Sequence, residues 1–140
     1  MSKIAVVYWS GTGNTEAMAF AVADGAKNAG AEATCFTAAE FDASMVNSFD
    51  SIAFGCPSMG CESLEENEFE PMFNSCESAI SGKKIALFGS YGWGDGEWMR
   101  NWEEACIADG AVMACDSVIC NEAPDDDALA ACKALGAALV

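Results

Sequence analysis

The sequence contains no histidine, and only 6 of its 140 residues are Lys or Arg. Without an imidazole there is no His general base, no Ser–His or Cys–His couple and no His metal ligand. The 22 acidic residues set against those 6 cations give a formal net charge of −16. A field of that sign repels nucleic acid and anionic lipid and attracts basic proteins, although acidity also serves solubility alone. No run of 18 apolar residues occurs, so no segment reads as a membrane span. No signal peptide is evident either: Ser2 and Lys3 lead straight into a short strand, and a cytoplasmic location is expected.

Cysteine is not scarce, but its arrangement excludes the usual uses. None of the eight cysteines forms a C-x-x-C pair, and no histidine is present to complete a zinc set. Most fall where other apolar residues would fit, so they read as reduced, structural thiols of a cytoplasmic protein. Cys61 is the exception, because it falls in a polar loop.

With 52% hydrophobic residues, the chain reads as one packed domain spanning residues 1–140. Strand and helix patterns alternate along it. KIAVVYW (3–9) is a β-branched run of the kind buried on both faces of a sheet. Met18, Val22 and Ala26 then recur at helical spacing from Asn14 to about Gly30. Further strands are expected at 31–37, 51–56, 83–91 and 111–120. Leu64 to Ile80 trace a second helical stripe, with Pro71 in its first turns. Trp98, Trp102 and Cys106 mark a third helix and read as core. Asp125 opens a fourth, while FDASMVNSF (41–49) is either a short helix or an irregular crossover.

Five βα units imply a parallel sheet with helices on both faces, and such sheets bind ligands at the carboxyl ends of their strands. The loops after strands one, three and four are SGTGNT, PSMGCESLEE and SYGWGDGE, the richest in glycine and polar residues.

The first loop has the look of a phosphate grip without a cation. It is not a Walker A loop, because Glu16 stands where the second glycine belongs and no Lys follows. Glu16 also breaks the dinucleotide pattern that Gly11 and Gly13 begin. What remains is a nest of backbone N–H groups at a helix start, with hydroxyls from Ser10, Thr12 and Thr15 and the amide of Asn14. Such a loop holds a phosphate monoester without reacting it.

VVYWSGTGNT resembles the phosphate-binding segment of the flavodoxins. FGCPSMGCESLEE and LFGSYGWGDGEWM resemble that family's two flavin loops, as seen in its short-chain clostridial type. The likeness extends over essentially the whole chain. It implies a flavodoxin-like, doubly wound, five-stranded parallel α/β sheet in the order 2-1-3-4-5. It also implies tightly, noncovalently bound FMN whose phosphate is held by uncharged donors.

The resemblance further implies roles for the ring loops. Met59 and Trp93, the latter between Gly92 and Gly94, would cover the two faces of the flavin ring. Glu62 would accept from flavin N3–H, and the Gly60–Cys61 peptide would rotate on reduction to meet protonated N5. Cys61 departs from the Asp, Ser, Gly or Asn expected at that place, and a Cβ there should lower the potential of the first electron. Ser58, Ser90 and Tyr91 complete the expected set, with Asn121 after the last strand. Glu62, Glu65, Glu66, Glu68, Glu70, Asp95 and Glu97 are expected to form an acidic field around the ring.

The function so implied is a low-potential, one-electron carrier using the semiquinone and hydroquinone states of FMN, monomeric and without a substrate site of its own. Its partners would be basic-surfaced redox enzymes: ferredoxin-type oxidoreductases, a hydrogenase or an NAD(P)H flavin reductase. The alternative is a two-electron, quinone-reductase-like enzyme on the same fold. A receiver domain would need an Asp cluster and a Lys at the strand ends, where this chain offers Gly55 and Cys56.

Overall fold

The computed structural model describes residues 2–60 and 62–140. Six short strands alternate with four helices, in the order β1 (Lys3–Tyr8), α1 (Asn14–Asn28), β2 (Glu32–Thr37), β3 (Ser51–Gly55), α2 (Phe69–Cys76), β4 (Lys84–Tyr91), α3 (Glu97–Ala108), β5 (Val112–Met113), β6 (Val118–Asn121) and α4 (Asp126–Ala138). All pairings between these strands are parallel, in the order β2-β1-β3-β4-β5, with β6 also on β4.

The single fifth strand expected over 111–120 is broken in two. Val112 pairs with Lys84, whereas Val118 pairs with Phe88, so the edge strand gains two residues relative to β4 between the pairings. Two is the period of the pleat, and the side chains beyond the break therefore keep their faces. The crossover at 41–49 is built around one 3₁₀ helix (Ala43–Ser48), opened by the Asp42 carboxylate, which accepts from Ser44 N–H at 2.9 Å.

The central strands are apolar on both faces, and alternate residues feed two cores. Ala5, Val7, Ile52, Phe54, Ile85 and Leu87 face α2 and α3, where Phe69, Phe73, Trp98 and Trp102 fill the layer. Ile4, Val6, Ala53, Ala86 and Phe88 face α1 and α4. On that side the two helices approach closely: a Cβ on Gly25 would strike the Lys133 carbonyl, and one on Gly136 the Val22 carbonyl.

Trp98 and Trp102, at 2% and 3% exposure, are core residues as their spacing predicts. Pro71 occupies the first turn of α2, where its missing N–H costs nothing. Leu64 precedes that helix instead of lying on it. No helix among the described residues is long and apolar enough to cross a membrane.

Candidate functional site

The sheet order reverses between β1 and β3, and the loops leaving β1, β3, β4 and β6 converge beyond their carboxyl ends. They enclose a cleft of about 280 Å³, lined by Trp9, Gly11, Thr12 and Asn14, by Pro57, Ser58 and Met59, by Ser90, Tyr91 and Gly92, and by Glu122. Eight of these are residues the sequence singles out. Trp9, Pro57 and Glu122 are additions.

At one end of the cleft the loop after β1 wraps into α1. Gly13 takes the left-handed conformation, φ 93°, that lets the chain enter the helix. Ser10 Oγ accepts the N–H groups of Gly13 (3.1 Å) and Glu16 (3.2 Å). Thr15, 1% exposed, accepts Ser90 N–H through Oγ1 at 3.4 Å. A hydroxyl whose oxygen already accepts from the protein has its proton left to give. Ser10 and Thr15 are thereby set up as donors to an anion. The N–H groups of Gly11, Thr12, Asn14 and Thr15 have no acceptor among the described residues. They add to the positive end of the α1 dipole.

Glu16, the one acid in this first turn, is engaged by the Tyr8 hydroxyl, which donates to Oε2 at 2.9 Å. Burial first, then the Glu16 carboxylate, pushes the Tyr8 phenol up to about 12.

The loop after β3 is pinned at both ends. Ser58 N–H donates to Ser90 O at 3.0 Å, and Met59 and Ser63 exchange backbone bonds of 2.8 and 2.9 Å. Between them Gly60 has φ 51° and Glu62 also has φ 51°. The predicted N5 switch involves Cys61, which lies outside the described residues. Met59 is 36% exposed on the wall of the cleft.

Glu62 reaches the loop after β4. Its Oε1 accepts Glu97 N–H at 3.1 Å, and its carboxylate lies where a Cβ on Gly94 would fall. The carboxylates of Glu62, Asp95 and Glu97 lie within 4.8 Å of one another. Arg100, 3.0 Å from Asp95, offsets part of that repulsion and holds the Asp95 carboxyl below its ordinary value.

Glu65 does not belong to this exposed acidic field. It is 5% exposed and caps α2, accepting the N–H groups of Asn67 (2.8 Å), Glu68 (2.7 Å) and Phe69 (2.9 Å). Burial raises its carboxyl, but the three donors outweigh it and hold the value below the ordinary range.

Trp93 follows Gly92 and is 62% exposed, outside the lining of the cleft. Asn121 is also outside it; its amide donates to Tyr91 O at 3.3 Å, and the next residue, Glu122, enters the cleft instead. Trp98 supports the site from beneath, donating from Nε1 to Cys56 O at 3.2 Å while its ring packs on Tyr91. The seven described cysteines are free thiols. Cys56, Cys106 and Cys132 are buried, which raises their thiols well above the ordinary value.

A family model for flavodoxin matches residues 6–136. The chain belongs to the flavodoxin family. It is 44% identical to a flavodoxin of Megasphaera elsdenii over 96% of both chains. It is 45% identical to one of Clostridium beijerinckii over 86% of this chain and 88% of that one. The solution structure of the two-electron reduced Megasphaera elsdenii flavodoxin superposes with a TM-score of 0.90, covering 97% of each chain. The protein is an FMN-binding electron carrier of the short-chain, clostridial type. The two-electron reductase weighed as an alternative gains no better support.

Proposed function

We propose that the cleft is the FMN site and that the chain works as a low-potential shuttle for single electrons, with no substrate site of its own. One observation carries the assignment. Unpartnered N–H groups and proton-bearing hydroxyls gather at the α1 start with no cation, beside walls made by Trp9, Met59 and Tyr91. That donor set fits a phosphate monoester, and the flat walls fit an aromatic ring.

Bound FMN supplies one-electron chemistry that no side chain here offers. The chain's residues bind it and set its electrostatics. Ser10, Thr12, Asn14 and Thr15 donate to the phosphate, and Gly11 and Gly13 let the backbone approach. Met59 and Trp93 cover the ring, Trp93 folding in from its exposed position. Tyr91, Gly92 and Gly94 shape the second ring loop, and Ser58 with Gly60 and Cys61 the first. Glu62 keeps lone pairs beyond its bond to Glu97 and accepts the ring N3–H. Asn121 acts through the Tyr91 carbonyl.

A carboxylate about 10 Å from a developing negative charge in near-aqueous surroundings costs about 0.4 kcal/mol, and several act together. Glu62, Asp95, Glu97 and Glu122 therefore favour a low potential, while the charge of Glu65 is buried and taken up by three backbone N–H groups. The same acidity gives a docking rim for a basic-surfaced redox enzyme: a ferredoxin-type oxidoreductase, a hydrogenase or an NAD(P)H flavin reductase. We assign the chain to the cytoplasm as a monomeric single domain, in keeping with its free thiols.

The test is anaerobic, stepwise reduction of FMN-loaded protein followed by visible absorption. Accumulation of a one-electron-reduced flavin midway supports the shuttle. Direct bleaching without it supports a two-electron reductase, and failure to bind FMN overturns the assignment of the cleft.

A further inference from the structure

Ser90 is 4% exposed at the carboxyl end of β4, and its groups tie together the other three loops of the cleft. Its N–H donates to Thr15 Oγ1 (3.4 Å) and its carbonyl accepts from Ser58 N–H (3.0 Å). Its hydroxyl does something different. It donates to the Glu122 carbonyl at 2.6 Å, so its proton is committed to the protein and not to a ligand.

Glu122 is one of two described non-glycine residues with positive φ, at 60°. The left-handed conformation is unfavourable for a side chain bearing a Cβ and needs outside support. Support comes from β4 on both sides of the residue: Glu122 N–H donates to Tyr91 O at 2.8 Å, and its carbonyl takes the Ser90 hydroxyl. The only other described donor to that carbonyl is the Cys120 thiol, at 3.5 Å, a weak one. Held this way, Glu122 lines the cleft.

We propose that Ser90 is a positioning residue, its hydroxyl locking Glu122 in the left-handed turn that keeps the β6 loop shaped for the flavin. It does not contact FMN through its hydroxyl. The proposal rests on the cleft being the FMN site. When only a fraction of a protein is binding-competent, its apparent dissociation constant rises by the inverse of that fraction. Removing the hydroxyl therefore weakens FMN binding by releasing the turn, not by deleting a ligand.

A double-mutant cycle separates these cases. Glycine adopts φ 60° without support, so E122G makes the latch dispensable while removing the Glu122 side chain from both arms. S90A is expected to raise the FMN dissociation constant roughly tenfold in the parent chain and less than twofold in E122G. It should also alter the visible circular dichroism of the bound flavin and speed exchange of the residue 122 amide in the FMN-free protein. Equal losses in both backgrounds would show a direct ligand and overturn the proposal. Unchanged amide exchange would overturn it as well. Because exchange is read without FMN, the latch is decided even if the parent chain fails to bind flavin, an outcome that would instead defeat the assignment of the cleft.

Discussion

The Glu62 carboxylate accepts the Glu97 backbone N–H at 3.1 Å, joining the loop after β3 to the first turn of α3 across 35 positions of sequence. One side chain thus caps a helix, ties down the loop after β3 and contributes charge. E62Q keeps an acceptor for Glu97 and removes only the charge. It should leave thermal stability nearly unchanged and raise the potential of the last electron by roughly 40 mV, the effect of one carboxylate about 5 Å away in near-aqueous surroundings. E62A removes the cap too, and should cost about 1 kcal/mol in urea unfolding.

Ser10 is expected to act on the phosphate alone. In S10A the Gly13 and Glu16 amides lose their acceptor and the anion loses a donor. FMN affinity should fall about ten- to a hundredfold, the worth of a hydrogen bond to a charged group. Riboflavin, which lacks the phosphate, should bind the variant and the parent nearly alike. Flavin fluorescence quenching measures both.

Two carboxylates give stability opposite dependences on pH. Glu65 has a depressed value in the fold, so its contribution is present above the unfolded-state value and is lost on acidification through the folded one. Glu77 is pushed up to about 7 by burial and then by neighbouring Asp109. Asp109 Oδ2 is buried without a described donor, and a proton on Glu77 supplies one. Its contribution is full below the unfolded-state value near 4.5 and is lost as pH rises toward 7. Urea midpoints should accordingly fall between pH 5 and pH 8 in the parent chain and fall less in E77Q.

The contact between α1 and α4 leaves no room for a methyl group. G136A drives a Cβ into the Val22 carbonyl and should destabilise the fold by about 1–3 kcal/mol, measured by chemical denaturation. The variant that does fold should still bind FMN, because neither Gly136 nor Val22 lines the cleft.

Much of this architecture is legible in the sequence because it is local. Apolar runs of strand length and four-residue spacings fix the elements, and glycine-rich loops at strand ends mark the cleft. What escapes depends on three-dimensional closure. Glu65 looks like its acidic neighbours, and only the bend before α2 turns its carboxylate onto three N–H groups. Glu122 carries no sequence signal, since its place in the cleft comes from a positive φ that β4 enforces. Trp9 could have been found, as an aromatic residue set directly between the first strand and the phosphate loop. The break in the fifth strand is hidden because AVMACDSVIC is apolar enough to run straight through.

That break separates two tasks within one sheet edge. β5 fastens α3 to the amino end of β4, while β6 sets Asn121 and Glu122 against its carboxyl end by its own register. Between them only the Ala114 N–H bonds to β4, at 2.8 Å to Ile85 O, and residues 115–117 make no strand pairing. The sheet therefore has a seam where chain can be inserted, even as a sizeable loop, without moving the flavin end, provided both flanking pairings keep their partners.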